Sequence, residues 1–227
     1  MLVRTRGPQT PEEAAEETMP QATWYFDYLS PYAYLQFHRF DELPPDLEVA
    51  IKPVVFGALL QHHGQLGPAE IPSKRTFVYR FFQWQCARRG LPFRLPHHPF
   101  PPLPMLRLTI AAGSTAQAVE TIFHGIYGEG RAPGDAETVR VLGERLGVAD
   151  PEQAGQAPAV KEALWDNTNE AIAAGVFGVP TFVTGGEVFW GDDALAMLLD
   201  YLADPNLFAT PEMRRISEMP MGVVRKR

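Results

Sequence analysis

The 227-residue chain holds a single cysteine, Cys86. It can close no internal disulfide, and it carries neither a C-x-x-C redox pair nor a cysteine-rich zinc site. Basic residues are the minority: 20 Lys and Arg against 27 Asp and Glu leave a formal net charge of −7. A general nucleic-acid binder needs a basic footprint, so no nucleic-acid partner is expected. No apolar run approaches the ~18–20 residues of a membrane span. The first twenty residues, MLVRTRGPQTPEEAAEETMP, lack the apolar core of a secretory signal. Residues 1–21 therefore read as a flexible arm, and the expected location is cytoplasmic. The pairs His62-His63 and His97-His98 are adjacent in sequence, and neighbours on a helix or strand point in different directions. Neither pair makes a metal site, and no metal is expected. What the chain does have, 45% apolar and 21% charged residues, is enough for a full globular core.

The pattern along the chain alternates, breaks and resumes. Ala22–Tyr28 is short and aromatic, as a buried strand is. Ser30-Pro31 is a helix start, with Ser as N-cap and Pro at the first helical position. The helix is expected to run from Pro31 towards Glu42, with Tyr34, Phe37 and His38 on one face. Leu47–Val55 reads as a second strand, parallel to the first, that ends early or lies at an edge because of Pro53. From Gly57 to about Gly155 the reading is helical: Lys74–Arg89 with an apolar stripe of Phe77, Phe81, Phe82 and Trp84, then a Pro-rich connector, then Met105–Ala112, Ala116–Tyr127 and Asp135–Leu146. Asp150-Pro151-Glu152-Gln153 resembles a capping box. Ala159–Ala174 is a helix closed by Gly175, Gly185-Gly186 is a hairpin turn, and Asp192–Leu202 is a last helix. Past Asp204 the chain is turn-rich and ends in the basic Arg225-Lys226-Arg227.

Three stretches stand in register with this order: Tyr25-Phe26-Asp27-Tyr28-Leu29-Ser30-Pro31-Tyr32, Gly175-Val176-Phe177-Gly178-Val179-Pro180-Thr181-Phe182, and Phe189-Trp190-Gly191-Asp192-Asp193. A fourth is Lys52–Leu60, with Pro72-Ser73-Lys74 downstream. Together they resemble the 2-hydroxychromene-2-carboxylate isomerases, relatives of kappa-class glutathione transferases within the DsbA-like thioredoxin superfamily. The resemblance spans roughly Thr23 to Ala203. It implies an α/β thioredoxin-like fold with an inserted all-helical domain. The expected division is residues 22–56 and 158–204 for the thioredoxin-like domain, 57–157 for the helical insertion, and 205–227 for a tail.

The resemblance also assigns residues. A serine replaces the active cysteine of the redox relatives, and Ser30 stands at that place. It implies that the Ser30 hydroxyl donates a hydrogen bond to the sulfur of bound glutathione; the plainer alternative is a helix cap. Val179-Pro180 resembles the cis-proline turn whose preceding residue pairs with an extended peptide, or else it is an ordinary turn. Asp193 matches the acid that binds the γ-glutamyl ammonium. The resemblance places Asp192 with it on the cofactor, at a position where kappa-class relatives tend to have serine, and acids before a helix also occur for purely structural reasons. Lys74 matches a lysine for the glycyl carboxylate, or is a solvated helix-start residue. Gln65 stands where those relatives tend to have Asn. Tyr32, Asn167, Thr168 and Trp84 are candidates for lining a substrate pocket, with Tyr79 and Phe81 beside Trp84 as pocket wall or core. Cys86 reads as a packing residue.

The implied function is a glutathione-dependent isomerase acting on a small aromatic-derived carboxylate, cytoplasmic and homodimeric. Two alternatives stay open: a kappa-like glutathione transferase, and a non-catalytic peptide- or thiol-binding module that kept the fold without its cysteines. The Pro-rich Phe100–Pro104 stretch departs from relatives, which tend to have Asn and small hydroxyl residues there.

Overall fold

The structure, a computed structural model, describes residues 21–98, 100–220 and 222. Residues 1–20 of the expected arm and the Arg225-Lys226-Arg227 end lie outside the described residues.

The aromatic run opens the fold as β1 (Gln21–Phe26). It pairs in parallel with β2 (Glu48–Pro53) and antiparallel with β3 (Thr181–Thr184), which pairs antiparallel with β4 (Glu187–Trp190). The sheet order is β2-β1-β3-β4. As an inner strand, β1 is covered on both sides: Trp24 and Phe26 enter one core, Tyr25 the other. That double burial is why Trp24, Tyr25 and Phe26 follow one another as aromatics instead of alternating with polar residues. Pro53 closes β2 at the edge of the sheet, a position open to a residue without an N–H. The β3–β4 hairpin turns through Gly185 (φ +58°) and Gly186 (φ +83°), the two positive φ values of a type I′ turn.

The first helix, α1 (Pro31–Phe37), stops five residues short of the expected Glu42, and a single 3₁₀ turn follows at Phe40–Glu42. Arg39 leaves helical geometry (φ −120°), and its guanidinium joins Glu42 to the backbone carbonyl of Asp192. A helix absent from the sequence reading, α2 (Phe56–His62), follows β2. Its first N–H groups are satisfied by residues remote in sequence: Val55 N–H donates to Thr168 Oγ1 at 3.1 Å, and Phe56 N–H to Asp27 Oδ2 at 3.0 Å.

Next come α3 (Pro72–Arg89), α4 (Leu103–Ala111), α5 (Ala116–Phe123), α6 (Ala136–Arg145) and α7 (Pro151–Gln156). The end of α5 widens into one π-helical turn, His124–Gly128. Asp150 caps α7 as expected, its Oδ1 accepting from Gln153 N–H at 3.1 Å. α8 (Pro158–Ala173) ends at Gly175 (φ +79°), where Val176 N–H reaches Ala171 O and Gly175 N–H reaches Ile172 O, the paired bonds of a Schellman motif. α9 (Leu195–Ala203) closes over the sheet. Beyond it, where a turn-rich tail was expected, lies α10 (Pro211–Ser217), capped by Thr210 Oγ1 accepting from Met213 N–H at 3.3 Å.

Two cores flank the sheet. The larger joins Trp24 and Phe26 of β1 to Tyr34 and Leu35 of α1, Phe82 of α3, Leu106 of α4, Phe123 of α5 and Leu142 of α6. The helices between β2 and α8 thus share a core with the sheet. Burying each large side chain there stabilises the fold by about 1.5–3 kcal/mol. The smaller core, on the opposite face, holds Tyr25, Leu59, Ala171, Val176 and Val179. The expected stripe on α3 divides: Phe82 is fully buried, whereas Phe77 is 65% and Trp84 50% exposed.

Candidate active site

Asp27 follows β1, and it is completely buried. Its Oδ1 accepts from Leu29 N–H at 2.9 Å, an Asx turn that bends the chain towards α1, while Oδ2 reaches Phe56 at the start of α2. Asp27 O also accepts from Ser30 N–H at 3.0 Å. Burial pushes the Asp27 carboxyl up to about 7, with the two backbone donors opposing the shift. The next residue is anchored at both ends from the helical side. Tyr127, on the π turn, donates its hydroxyl to Tyr28 O at 2.7 Å. Thr109 Oγ1 gives its proton to Met105 O, so the Tyr28 hydroxyl is the donor in their 2.7 Å bond.

This loop delivers Ser30, which is 6% exposed. Its backbone is the N-cap of α1, but its side chain caps nothing. The hydroxyl instead donates across the fold to Val179 O at 3.0 Å. The Val179-Pro180 bond is cis, as the resemblance implied. Pro180 O in turn accepts from Gly191 N–H at 2.9 Å, tying this turn to the one that carries Asp192 and Asp193. Tyr32, two residues after Ser30, is half-buried; burial raises its pKa, with Asp193 and then Asp192 adding to the shift. Ser30, Tyr32, Val179, Pro180, Asp192 and Asp193 therefore form one cluster.

The two acids differ sharply. Asp193 is exposed. Asp192 is 8% exposed and its carboxylate is taken: Arg89 Nη2 donates to Oδ2 at 2.6 Å and Arg89 Nη1 to Oδ1 at 3.2 Å, with Arg39 Nη1 3.4 Å from Oδ1. This corrects the expectation that Asp192 faces a ligand, since two guanidiniums hold its oxygens inside. Thr168 is corrected likewise. It is fully buried and lines no surface; it holds Val55 N–H and donates to Leu164 O. Asn167 donates to Pro53 O at 3.2 Å, so both residues brace the β2–α2 connection. Gln65 and Lys74 are exposed, Lys74 on the first turn of α3.

Trp84 belongs to a separate aromatic face, not to the core. Phe77 stacks on Phe81 at 5.9 Å, Phe81 meets Trp84 at 5.6 Å, and Arg88 lies 5.0 Å over the Trp84 ring. The face joins the Ser30 cluster through Tyr32, whose ring is 6.4 Å from Phe81. Cys86 is fully buried, and burial pushes its thiol up to about 12. Sequence reasoning missed Asp27, Gln36, Arg39, Arg89 and Tyr127. Only Asp27 left a signal, an acid set directly after the aromatic Trp24-Tyr25-Phe26 run.

Among the described residues no helix is long and apolar enough to cross a membrane. The family model of the DsbA-like thioredoxin domain matches residues 22–203. A 2-hydroxychromene-2-carboxylate isomerase of Pseudomonas putida is 30% identical over 187 residues, covering 77% of this chain and 90% of that protein. Glutathione S-transferase kappa 2 of Caenorhabditis elegans is 27% identical over 208 residues, covering 80% of this chain and 91% of that protein. A solved structure of a 2-hydroxychromene-2-carboxylate isomerase superposes with a TM-score of 0.70 at 26% identity, covering 84% of this chain and 99% of that one. The cluster around Ser30 thus sits in a fold and a sequence shared with these enzymes, and the chain belongs to the 2-hydroxychromene-2-carboxylate isomerase family of the DsbA-like thioredoxin superfamily.

Proposed function

We propose that this protein is a glutathione-dependent isomerase of the 2-hydroxychromene-2-carboxylate type, acting on a small aromatic-derived carboxylate. The observation that carries the reading is the Ser30 hydroxyl. It is freed from capping and directed at the Val179 carbonyl, in a chain whose own thiol is sealed away. Bound glutathione would supply the nucleophilic thiolate, adding reversibly to the substrate and leaving again after rotation about the bond that the addition has loosened.

The chain's own groups fit the tripeptide. The Ser30 O–H can turn from Val179 O to a sulfur, and a hydrogen bond to a charged acceptor contributes about 1.5–3 kcal/mol, roughly one to two decades of thiolate population. The N–H of Val179 makes no hydrogen bond to another described residue, so it is open to an extended peptide. Asp193 offers an exposed carboxylate to an ammonium. Lys74 and Gln65 are assigned to the glycyl end, and Tyr32 with the Phe81–Trp84 face to the substrate ring. A cytosolic homodimer belongs to the same proposal.

Calorimetric titration with reduced glutathione tests the reading directly. Binding is expected, and Ser30→Ala should cost ten- to a hundredfold in turnover, by about the decades above, with the melting temperature falling only by the few degrees that loss of the one hydrogen bond to Val179 O costs. No affinity at millimolar glutathione, or wild-type turnover by Ser30→Ala, refutes the reading. The 27% identity to a kappa-class transferase supports a second reading, transfer to an electrophile with a leaving group. An isomerase returns glutathione at the end of each cycle and a transferase consumes it, so free glutathione measured during turnover separates the two.

A further inference from the structure

The residues around Asp192 converge from three elements. Leu35 and Gln36 lie in the last turn of α1, Arg39 follows it, and Arg89 ends α3. Arg89 Nη1 donates to Leu35 O at 3.3 Å as well as to Asp192. Gln36 is fully buried; its Nε2 donates to Gly191 O at 2.7 Å and its Oε1 accepts from Trp24 Nε1 at 2.6 Å. Arg39 Nη1 donates to Asp192 O at 2.7 Å, and its remaining nitrogens hold Glu42. The far end of α1 is thereby fastened to the Gly191-Asp192 turn, while its near end starts from Ser30.

We propose that the Arg39–Asp192–Arg89 clamp fixes the span between Ser30 and Asp193, making Asp192 a positioning residue that selects a thiol bearing a γ-glutamyl ammonium. The proposal rests on the glutathione reading above. A seven-residue α1 is a rod of about 10 Å, and with one end at the hydroxyl and the other bolted to the turn before Asp193 it sets their separation. The turn itself admits little adjustment. Gly191 has φ +93°, and a Cβ there would lie 2.6 Å from Asp193 Oδ1, so the Asp193 carboxylate folds back over it. The charges agree with the division of labour. Two arginines offset Asp192 and Glu42, so the clamp is neutral as a whole, and Asp193 is left as the acid turned outward beside Tyr32.

The test crosses a change in the protein with a change in the ligand. Calorimetry or competition compares reduced glutathione with glutaryl-cysteinylglycine, which differs only in lacking the ammonium. Wild type should prefer glutathione by about tenfold or more, the range of one charge-assisted bond. Asp192→Asn should shrink that preference to about two- to threefold, and Arg89→Lys, which keeps the charge but loses the paired grip on Asp192 and the bond to Leu35 O, should shrink it as well. An undiminished preference in Asp192→Asn overturns the proposal, even if both ligands weaken together, because that pattern marks general loosening. Should Asp192→Asn fail to fold, Arg39→Met reads the same ratio from a partly exposed position. A wild type that binds neither thiol refutes the glutathione reading instead, so the two failures are distinct.

Discussion

Replacing Asp27 by asparagine removes a carboxylate that no solvent reaches and that no cation pairs with among the described residues. Its carboxyl titrates near 7 in the folded protein against 3.8 for an ordinary aspartate. Between those values the folded state keeps a proton that the unfolded chain has released. The group's contribution to stability therefore falls as pH rises through this window and stays lowered above it. At 1.36 kcal/mol per unit, the full displacement is worth about 4 kcal/mol, of which about 3 accrues between pH ~5 and pH ~8.5. Asparagine keeps the shape and one acceptor, but it turns an NH₂ towards the second backbone donor, a loss of about 1–3 kcal/mol that does not vary with pH. Urea unfolding of both proteins, followed by tryptophan fluorescence at several pH values, should show the variant gaining about 3 kcal/mol on wild type from pH ~5 to pH ~8.5. Parallel curves, with the same difference at every pH, refute the account of Asp27 as an uncompensated buried acid.

Two further outcomes are expected. With its pKa near 12, the Cys86 thiol is ionised to about one part in 10⁵ at pH 7, so an aromatic disulfide reagent should leave native protein unlabelled and titrate one thiol in denaturant. Rapid native labelling would refute the reading of Cys86 as a sealed packing residue. Tyr127→Phe strips the donor from a buried Tyr28 carbonyl, at about 1–2 kcal/mol. Its melting temperature should drop by about 2–6 °C, and turnover should fall more than glutathione affinity does. An unchanged melting temperature would show that the π turn does not anchor the loop.

Local chemistry made most of the fold legible. An aromatic inner strand, Ser-Pro at a helix start, Gly175 at a C-terminus and Gly185-Gly186 at a hairpin each announce their element within a few residues. What escaped was settled over distance. Nothing near Val55 and Phe56 in sequence marks the start of α2, because its capping groups come from Asp27 and Thr168. α1 reads on to Glu42 because the capture of Arg39 by Asp192 lies 153 residues away. The same distance hid what holds Asp192: the sequence sets it apart from Asp193, but only the folded chain turns it inward to two arginines and leaves Asp193 out. On α3, periodicity marked the apolar positions but not which of them face protein. Phe82 meets Tyr34 and Tyr127, while Phe77 and Trp84 do not.

The shared core explains why the site loop answers to both parts of the molecule. Tyr28 and Phe26 pack edge-on at 5.2 Å, and both rings meet Phe123, at 4.7 and 6.0 Å. Phe123 immediately precedes the π turn that brings the Tyr127 hydroxyl to Tyr28 O. A shift of α5 would therefore move the strand end and the carbonyl two residues before Ser30 together. On its other side, Ser30 is tied through Val179, Pro180 and Gly191 to the turn that the clamp holds. A hydroxyl fixed between two such supports pays little entropy when it turns to a new acceptor. On the proposed function, a serine at this place keeps the work of stabilising a thiolate after the thiol itself has moved to another molecule.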